Sequence, residues 1–375
     1  MKNLTVLGAT GSIGRNTLDV VRTIPGFRVL AISGNRNLEL LHQQAEEFRP
    51  RWVVIANEES AKGWTWPLPS GCELLVGHDA LNQVASEQEV DIVVSAIVGQ
   101  AGLESTLAAV EAGKRVALAN KESLVVGGSL VMRRARETGA EIVPVDSEHS
   151  AIFQSLQAGQ RRELQRVILT ASGGPFFRLP DSELRNVTLE AALKHPTWNM
   201  GPKVTLDSAT LMNKALEIVE ARWLFDLRPG QLEVQIHPQS IVHSMVEFQD
   251  GAGIAQLSPP DMRLPIQNAL TYPERVAGGP TRRFDWTQNS TLEFFAPDVN
   301  LPRFDALKLG MEVAQRGGTA GAAMNAANEA AVAAFCRGEL RFDEIVPFVR
   351  RHVENHPFVS EPTLEDLKRE MNALA

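Results

Sequence analysis

Asp146 and Glu148 flank Ser147 in the stretch VDSEHS, residues 145–150, with His149 directly after. Two carboxylates two positions apart, with no cysteine beside them, suit a hard divalent cation such as Mg²⁺ or Mn²⁺ better than zinc. In extended chain, residues i and i+2 point the same way, which would converge Asp146 and Glu148 and turn Ser147 to the opposite side. The residues alone also allow a plainer reading, a helix cap followed by a solvated acid. A third oxygen ligand is available at Glu217 in TLDSATLMNKALE, where Asn213 and Glu217 share a helix face and Lys214 stands beside them. That face could equally be solvated. Ser208 or Thr210 can cap the helix, whose apolar face carries Leu211, Leu216, Val219 and Trp223.

A second group has the spacing of a nucleotide site. A strand over Leu4–Leu7 runs into Gly8-Ala9-Thr10-Gly11-Ser12-Ile13-Gly14, and a helix is expected over Arg15–Arg22. The glycines allow a tight turn and close approach of a pyrophosphate, while the helix start offers free N–H groups and a positive dipole end. The pattern is G-x-x-G-x-x-G rather than G-x-G-x-x-G, and a bare tight turn would also satisfy it. Placement after the first strand of a βαβ unit favours the dinucleotide, with Thr10, Gly11, Ser12 and Ile13 as its contacts. An NAD site usually ends its second strand in Asp or Glu. Here Ser33-Gly34-Asn35-Arg36-Asn37 has no acid and one arginine. Arg36 can bind a 2′-phosphate that a carboxylate would repel, so NADPH is expected, held at Gly34, Asn35 and Arg36.

These groups need strand ends to position them. Strands are expected at Leu4–Leu7, Arg28–Ile32, Trp52–Ala56, Asp91–Ile97, Arg115–Ala119 and Glu141–Val145, with helical stretches such as Leu103–Ala112 between them. Alternation of this kind builds a parallel, doubly wound α/β sheet with ligands at the strand carboxyl ends. Lys121 follows the fifth of these strands, between Asn120 and Glu122, and VDSEHS follows the sixth. From about 150 to 270 the pattern becomes α+β: a helix over Ser150–Leu156, strand-like RVILTAS, then LEVQIH, IVHSMVEF and IAQLS. An antiparallel sheet is expected there, with a face that could bury a dimer contact. Residues 272–302 are rich in Pro, Gly and Thr and read as a connecting arm. Beyond 303 the chain is helical and alanine-rich.

At 375 residues more than one core is expected. A formal net charge of −8 argues against a general nucleic-acid or anionic-membrane binder. No apolar run reaches the length of a membrane helix. Cys72 and Cys336 are far apart, which fits a reducing compartment without disulfides. The amino terminus enters a strand by about residue 4, leaving no room for a signal peptide, so a cytoplasmic protein is expected.

Several stretches together resemble the 1-deoxy-D-xylulose 5-phosphate reductoisomerase family: GATGSIG, AIVGQAGL, LANKESLV, PVDSEHSAIFQSL, SGGPF, HPTWNMGPKVTLDSATLMNKALE, IHPQSIVHSMV and MNAANEAAVAAF. They span nearly the whole chain. The resemblance implies a Rossmann-like NADPH domain at 1–148, an α+β catalytic and dimerising domain at 149–271, an arm at 272–302 and a C-terminal helical bundle at 303–375. It implies that Asp146, Glu148 and Glu217 hold a divalent cation (Mg²⁺ or Mn²⁺). It assigns Lys121, Ser147, Glu148, Ser172, His195, Trp198, Ser208, Asn213, Lys214 and Glu217 to a sugar phosphate substrate, with Lys121 and the three acids catalytic. Ser172, Ser208, Asn213 and Lys214 would lie closest to the phosphate, with Gly173 and Gly174 letting backbone N–H groups approach it. Asn120, Glu122 and Gly201 join the cofactor contacts. The loop His195–Gly201, centred on Trp198, would close over substrate, although Trp198 could simply pack within its own domain. His149, at a helix start, reads as support. The implied activity is rearrangement and NADPH-dependent reduction of 1-deoxy-D-xylulose 5-phosphate in a homodimer.

Three other readings compete. A semialdehyde dehydrogenase needs a nucleophilic cysteine, for which neither Cys72 nor Cys336 is placed. A homoserine-type NADP oxidoreductase does not explain three carboxylates beside a phosphate pocket. A redox-sensing NADP-binding protein without turnover would bind the cofactor but need no metal.

Overall fold

Seven strands, all parallel, form the larger sheet of the computed structural model, which describes residues 1–194, 198 and 201–374. They are β1 (Lys2–Leu7), β2 (Phe27–Gly34), β3 (Trp52–Ile55), β4 (Glu73–Val76), β5 (Ile92–Ser95), β6 (Arg115–Leu118) and β7 (Glu141–Pro144). Their order is β4-β3-β2-β1-β5-β6-β7, so the winding reverses between β1 and β5, where a doubly wound sheet opens a crevice for ligands. The interior strands WVVI and IVVS are buried at every position, as expected where helices cover both faces. Six strands were expected here. The seventh, β4, is a four-residue edge strand that is exposed at both ends, so its pattern lacks the apolar run that marks the others.

The chain divides into two interleaved units. The first comprises Met1–Ser123, Val131–Ser150 and Asp261–Arg282; the second comprises Leu124–Leu130, Ala151–Pro260 and Arg283–Ala375. Within the first, helix Arg263–Thr271 packs on helix Ser12–Thr23 and against β6 and β7. Arg115 ties the end of this returning segment to the sheet. Its guanidinium donates to the Tyr272 carbonyl at 2.6 Å and to Glu141 at 2.6 Å.

The second unit holds a four-stranded sheet of β8 (Leu164–Ala171), β9 (Leu232–Ile236), β10 (Val242–Phe248) and β11 (Gly253–Leu257), in the order β11-β10-β8-β9. β10 is antiparallel to both neighbours, but β8 and β9 are parallel. The sheet is therefore mixed, not antiparallel as expected. Helices Pro202–Ala209 and Met212–Leu224 lie between β8 and β9, and a crossover of that length returns the chain in the same direction. Helices Asp305–Arg316, Ala320–Cys336, Ile345–Asn355 and Leu364–Met371 complete the unit. Leu169, Leu216, Val219, Met324 and Ile345 share its apolar core.

No helix or strand occupies residues 272–301, apart from an isolated bridge between Ile236 and Phe295. His237 fastens that bridge. Its Nδ1 faces the Glu293 carbonyl at 2.7 Å and its ring stacks on Phe294 at 4.5 Å. Its Nε2 accepts from the amides of Ile241 and Val242. No helix of the described residues is long and apolar enough to cross a membrane.

Arg115 should hold the returning segment by the geometry of its planar fork, which lysine cannot copy. Arg115→Lys is expected to speed amide hydrogen exchange in helix Arg263–Thr271 about tenfold, the loss of one charged hydrogen bond of about 1.5 kcal/mol. Amides of β8–β11 should not change. A uniform change across the chain would contradict this role.

Candidate active site

The glycine turn after β1 is built for close approach. Gly8 has φ +84°, and a methyl group on Gly14 would lie 2.3 Å from the Gly8 carbonyl oxygen, so the helix start is pressed onto the turn. Helix Ser12–Thr23 begins with Gly11 as cap and no side chain bonded to its first amides. Thr10, Gly11, Ser12 and Ile13 are exposed or half-buried there, and the helix start offers N–H donors to an anion. Gln44 braces the turn from below by donating to the Ala9 carbonyl at 2.9 Å. Gly34 ends the neighbouring β2, and a side chain there would meet Thr10 and Leu41. Asn35 and Arg36 follow, both exposed. The two parts of the expected cofactor site thus adjoin.

Asn120 is buried just beyond β6. Its amide donates to the carbonyls of Ile97 and Gly99 at 2.6 and 2.7 Å, and to Glu122 at 3.1 Å. It links the loop after β5 to the loop after β6, beside the reversal of strand order.

The next residue, Lys121, pairs with Asp146 at 2.5 Å, both side chains about a tenth exposed (12% and 11%). Buried His149 lies 3.4 Å from the other Asp146 oxygen. Burial pushes the Asp146 carboxyl up, but Lys121 and His149 outweigh it and hold it well below the usual aspartate range. The geometry here differs from the extended chain expected. β7 ends at Pro144 and a helix runs over Ser147–Ser155, so Asp146 is the turn between them. The Ser150 amide bonds the Asp146 carbonyl at 2.8 Å and the Glu148 amide meets its carboxylate at 3.3 Å. Alternation along a strand therefore cannot be what aligns Asp146 with Glu148. Ser147 does not face away either, because its hydroxyl donates to Glu148 at 2.6 Å.

The second unit carries the other expected residues. Helix Pro202–Ala209 starts at Gly201 and ends at Thr210. Leu211 then takes a left-handed conformation (φ +63°) and helix Met212–Leu224 begins. Glu217, 1% exposed, accepts from Asn213 at 2.5 Å and pairs with Lys214, which is 4% exposed. The Ser172 hydroxyl accepts from the Gly174 amide at 3.2 Å. Gly174 has φ +69°, and a methyl group on it would come within 2.6 Å of the Ser208 carbonyl, so this turn is pressed against the Ser208 end of the helix. Trp198 is half-buried with its ring 6.2 Å from that of His243. Burial holds His243 down to about 4, which keeps it neutral at pH 7. His195 lies outside the described residues.

Sequence reasoning missed the lysine partners of both acids. Lys214 and Glu217 are three apart on a helix, a spacing that signals contact; Lys121 and Asp146 carry no such signal. It also passed over Asp207, which is buried and bonded to Lys203 and Asn328.

Models described as 1-deoxy-D-xylulose 5-phosphate reductoisomerase match residues 4–128, and those of the same enzyme's C-terminal domains match 142–225 and 257–373. Among curated relatives, the 1-deoxy-D-xylulose 5-phosphate reductoisomerase of Geobacillus sp. (strain WCH70) is 46% identical over 374 residues, covering 100% of this chain and 97% of its own. That of Geobacter metallireducens is 50% identical over 372 residues, covering 98% and 95%. The chain belongs to the 1-deoxy-D-xylulose 5-phosphate reductoisomerase family. The reductoisomerase of Zymomonas mobilis, solved with NADPH, superposes with a TM-score of 0.90 at 42% identity, covering 100% of this chain and 97% of that one. A reductoisomerase solved with NADPH, fosmidomycin and magnesium gives 0.90 at 40% identity, covering 99% and 95%. Every site residue expected above falls within a stretch matched by the reductoisomerase models.

Because folding lowers the Asp146 pKa, its ionised carboxyl stabilises the metal-free protein above the ordinary aspartate value of about 4. That contribution fades as pH falls through the lower folded-state value. Asp146→Asn should therefore lower the thermal midpoint at pH 7, by a loss of about 1.5–3 kcal/mol for a charged hydrogen bond. The gap to wild type should close on acidification below pH 4. A gap that stayed constant would contradict the pairing.

Proposed function

We propose that this protein converts 1-deoxy-D-xylulose 5-phosphate to 2-C-methyl-D-erythritol 4-phosphate, by rearrangement and then reduction with NADPH, in the methylerythritol phosphate route to isoprenoids. The observation that carries this reading is the arrangement around Leu211. A buried carboxylate, Glu217, stands one turn from Asn213 and Lys214, next to Ser208 and the Ser172–Gly174 turn. One short region thus combines a metal-type acid with donors for an anion.

The residues suit both groups that the family's solved structures contain. Asp146, Glu148 and Glu217 are hard oxygen donors, and both cysteines are free and not adjacent to them in sequence. The pressed glycine turn, the uncapped helix start and the missing acid after β2 suit NADPH, with Thr10 to Ile13 toward the pyrophosphate and Arg36 toward the 2′-phosphate. When bound, the cation would act as a Lewis acid toward substrate oxygens, and NADPH would supply hydride.

The chain's own groups do the rest. Ser172, Ser208, Asn213 and Lys214 hold the phosphate, a handle remote from the reacting carbons whose binding aligns them. Lys121, Ser147 and Lys214 direct donors at substrate oxygens. Asn120 and Glu122 lie toward the nicotinamide end, and Gly201 is a further nucleotide contact. Trp198 covers the substrate and excludes water, and His195 is assigned to positioning substrate and loop. Domain roles follow: the first unit binds NADPH, and the second binds the phosphate and carries the helical bundle.

The protein is proposed to act as a homodimer in the cytoplasm. Family resemblance supports the dimer, as do the exposed apolar side chains of Trp286, Phe294, Phe295, Val299 and Leu301 along the arm. Unpaired Cys72 and Cys336 are consistent with a reducing compartment.

The direct test follows NADPH absorbance. Loss of absorbance is expected only when 1-deoxy-D-xylulose 5-phosphate and Mg²⁺ or Mn²⁺ are both present, and Glu217→Gln should lower kcat at least a hundredfold. Oxidation that proceeds equally in EDTA would overturn the reading.

A further inference from the structure

Helix Ala320–Cys336 is buried along most of its length. Its buried positions are apolar or glycine, except Asn325 and Asn328. An amide in such surroundings is costly unless it is hydrogen-bonded, so packing does not account for it. Asn328, fully buried, donates from Nδ2 to Asp207 Oδ1 at 2.8 Å, across 121 residues of sequence. Asp207 accepts at its other oxygen from Lys203 at 2.7 Å. All three residues belong to the second unit.

Asp207 immediately precedes Ser208 on helix Pro202–Ala209, and consecutive side chains leave a helix about 100° apart. Asp207 is turned into the core and Ser208 is left half-buried. The Asp207 bonds grip this helix one residue from where the Ser172–Gly174 turn meets it and just before the left-handed Leu211. A shift of the grip would move Ser208 and the start of the helix that carries Asn213 and Lys214.

We propose that Asn328 is a positioning residue. Acting through Asp207, it sets Ser208 and the adjoining turn for the phosphate of the substrate. This rests on the reading of Ser172, Ser208, Asn213 and Lys214 as the phosphate site. It gives the C-terminal helices a part in substrate binding although none of their residues was expected to touch substrate.

The test measures four quantities in Asn328→Ala and wild type: KM for 1-deoxy-D-xylulose 5-phosphate, the inhibition constant of inorganic phosphate against it, KM for NADPH, and the thermal midpoint. Alanine suits a helix of this composition. The first two constants are expected to rise together, roughly tenfold or more, since small misplacements at a binding group are costly. KM for NADPH should stay within twofold. An unchanged phosphate inhibition constant, or NADPH affinity falling in step with substrate affinity, would overturn the proposal. If Asn328→Ala does not fold, Asn328→Asp should weaken phosphate inhibition by setting two carboxylates together. Adding Asp207→Asn should then restore it with the amide and carboxylate exchanged, and absence of rescue refutes the link. The underlying reading fails separately, if Ser208→Ala and Lys214→Gln leave phosphate inhibition of the otherwise wild-type protein unaltered.

Discussion

Carboxylates held out of water are the constraint on which this structure turns. An unpaired buried carboxylate costs several kcal/mol even after relaxation, so each must be matched by a cation and hydrogen bonds. Glu217 meets that demand with Lys214 and Asn213, and Asp146 with Lys121 and His149. The backbone is shaped around these matches. Leu211 takes a left-handed conformation so that helix Met212–Leu224 starts with Asn213 and Lys214 in its first turn. The chain turns from β7 into a helix at Asp146, whose carbonyl and carboxylate both accept from that helix's first amides.

Such pairs contribute little net stability compared with apolar packing of the same volume. Their retention is better explained by use. Under the proposed function, Asp146, Glu148 and Glu217 would hold a divalent cation, and Lys121 and Lys214 would serve substrate oxygens.

How far this could be read in advance depended on whether the signal was local. The glycine turn after β1, the absent acid after β2, and the Asn213–Glu217 spacing are contiguous patterns, and each appears where expected. The helix start at Ser147 defeated the alternation argument for Asp146 and Glu148, because a strand ending one residue early changes every direction after it. β4 was missed because a half-exposed edge strand has no apolar run. The parallel β8–β9 pair follows from a helical crossover of which only the segment around Leu211–Trp223 has a contiguous apolar signal. Contacts across distance, Lys121 with Asp146 and Asn328 with Asp207, leave no trace in spacing and required the fold.

Under the proposed function, Asp146, Glu148 and Glu217 serve one divalent cation. Titration of Mn²⁺ into the protein, followed by the paramagnetic resonance of free Mn²⁺, tests it most directly. One ion per chain is predicted, with affinity lost at least tenfold in Asp146→Asn and in Glu217→Gln alike. Two ions per chain, or Glu217→Gln binding as tightly as wild type while Asp146→Asn does not, would contradict it.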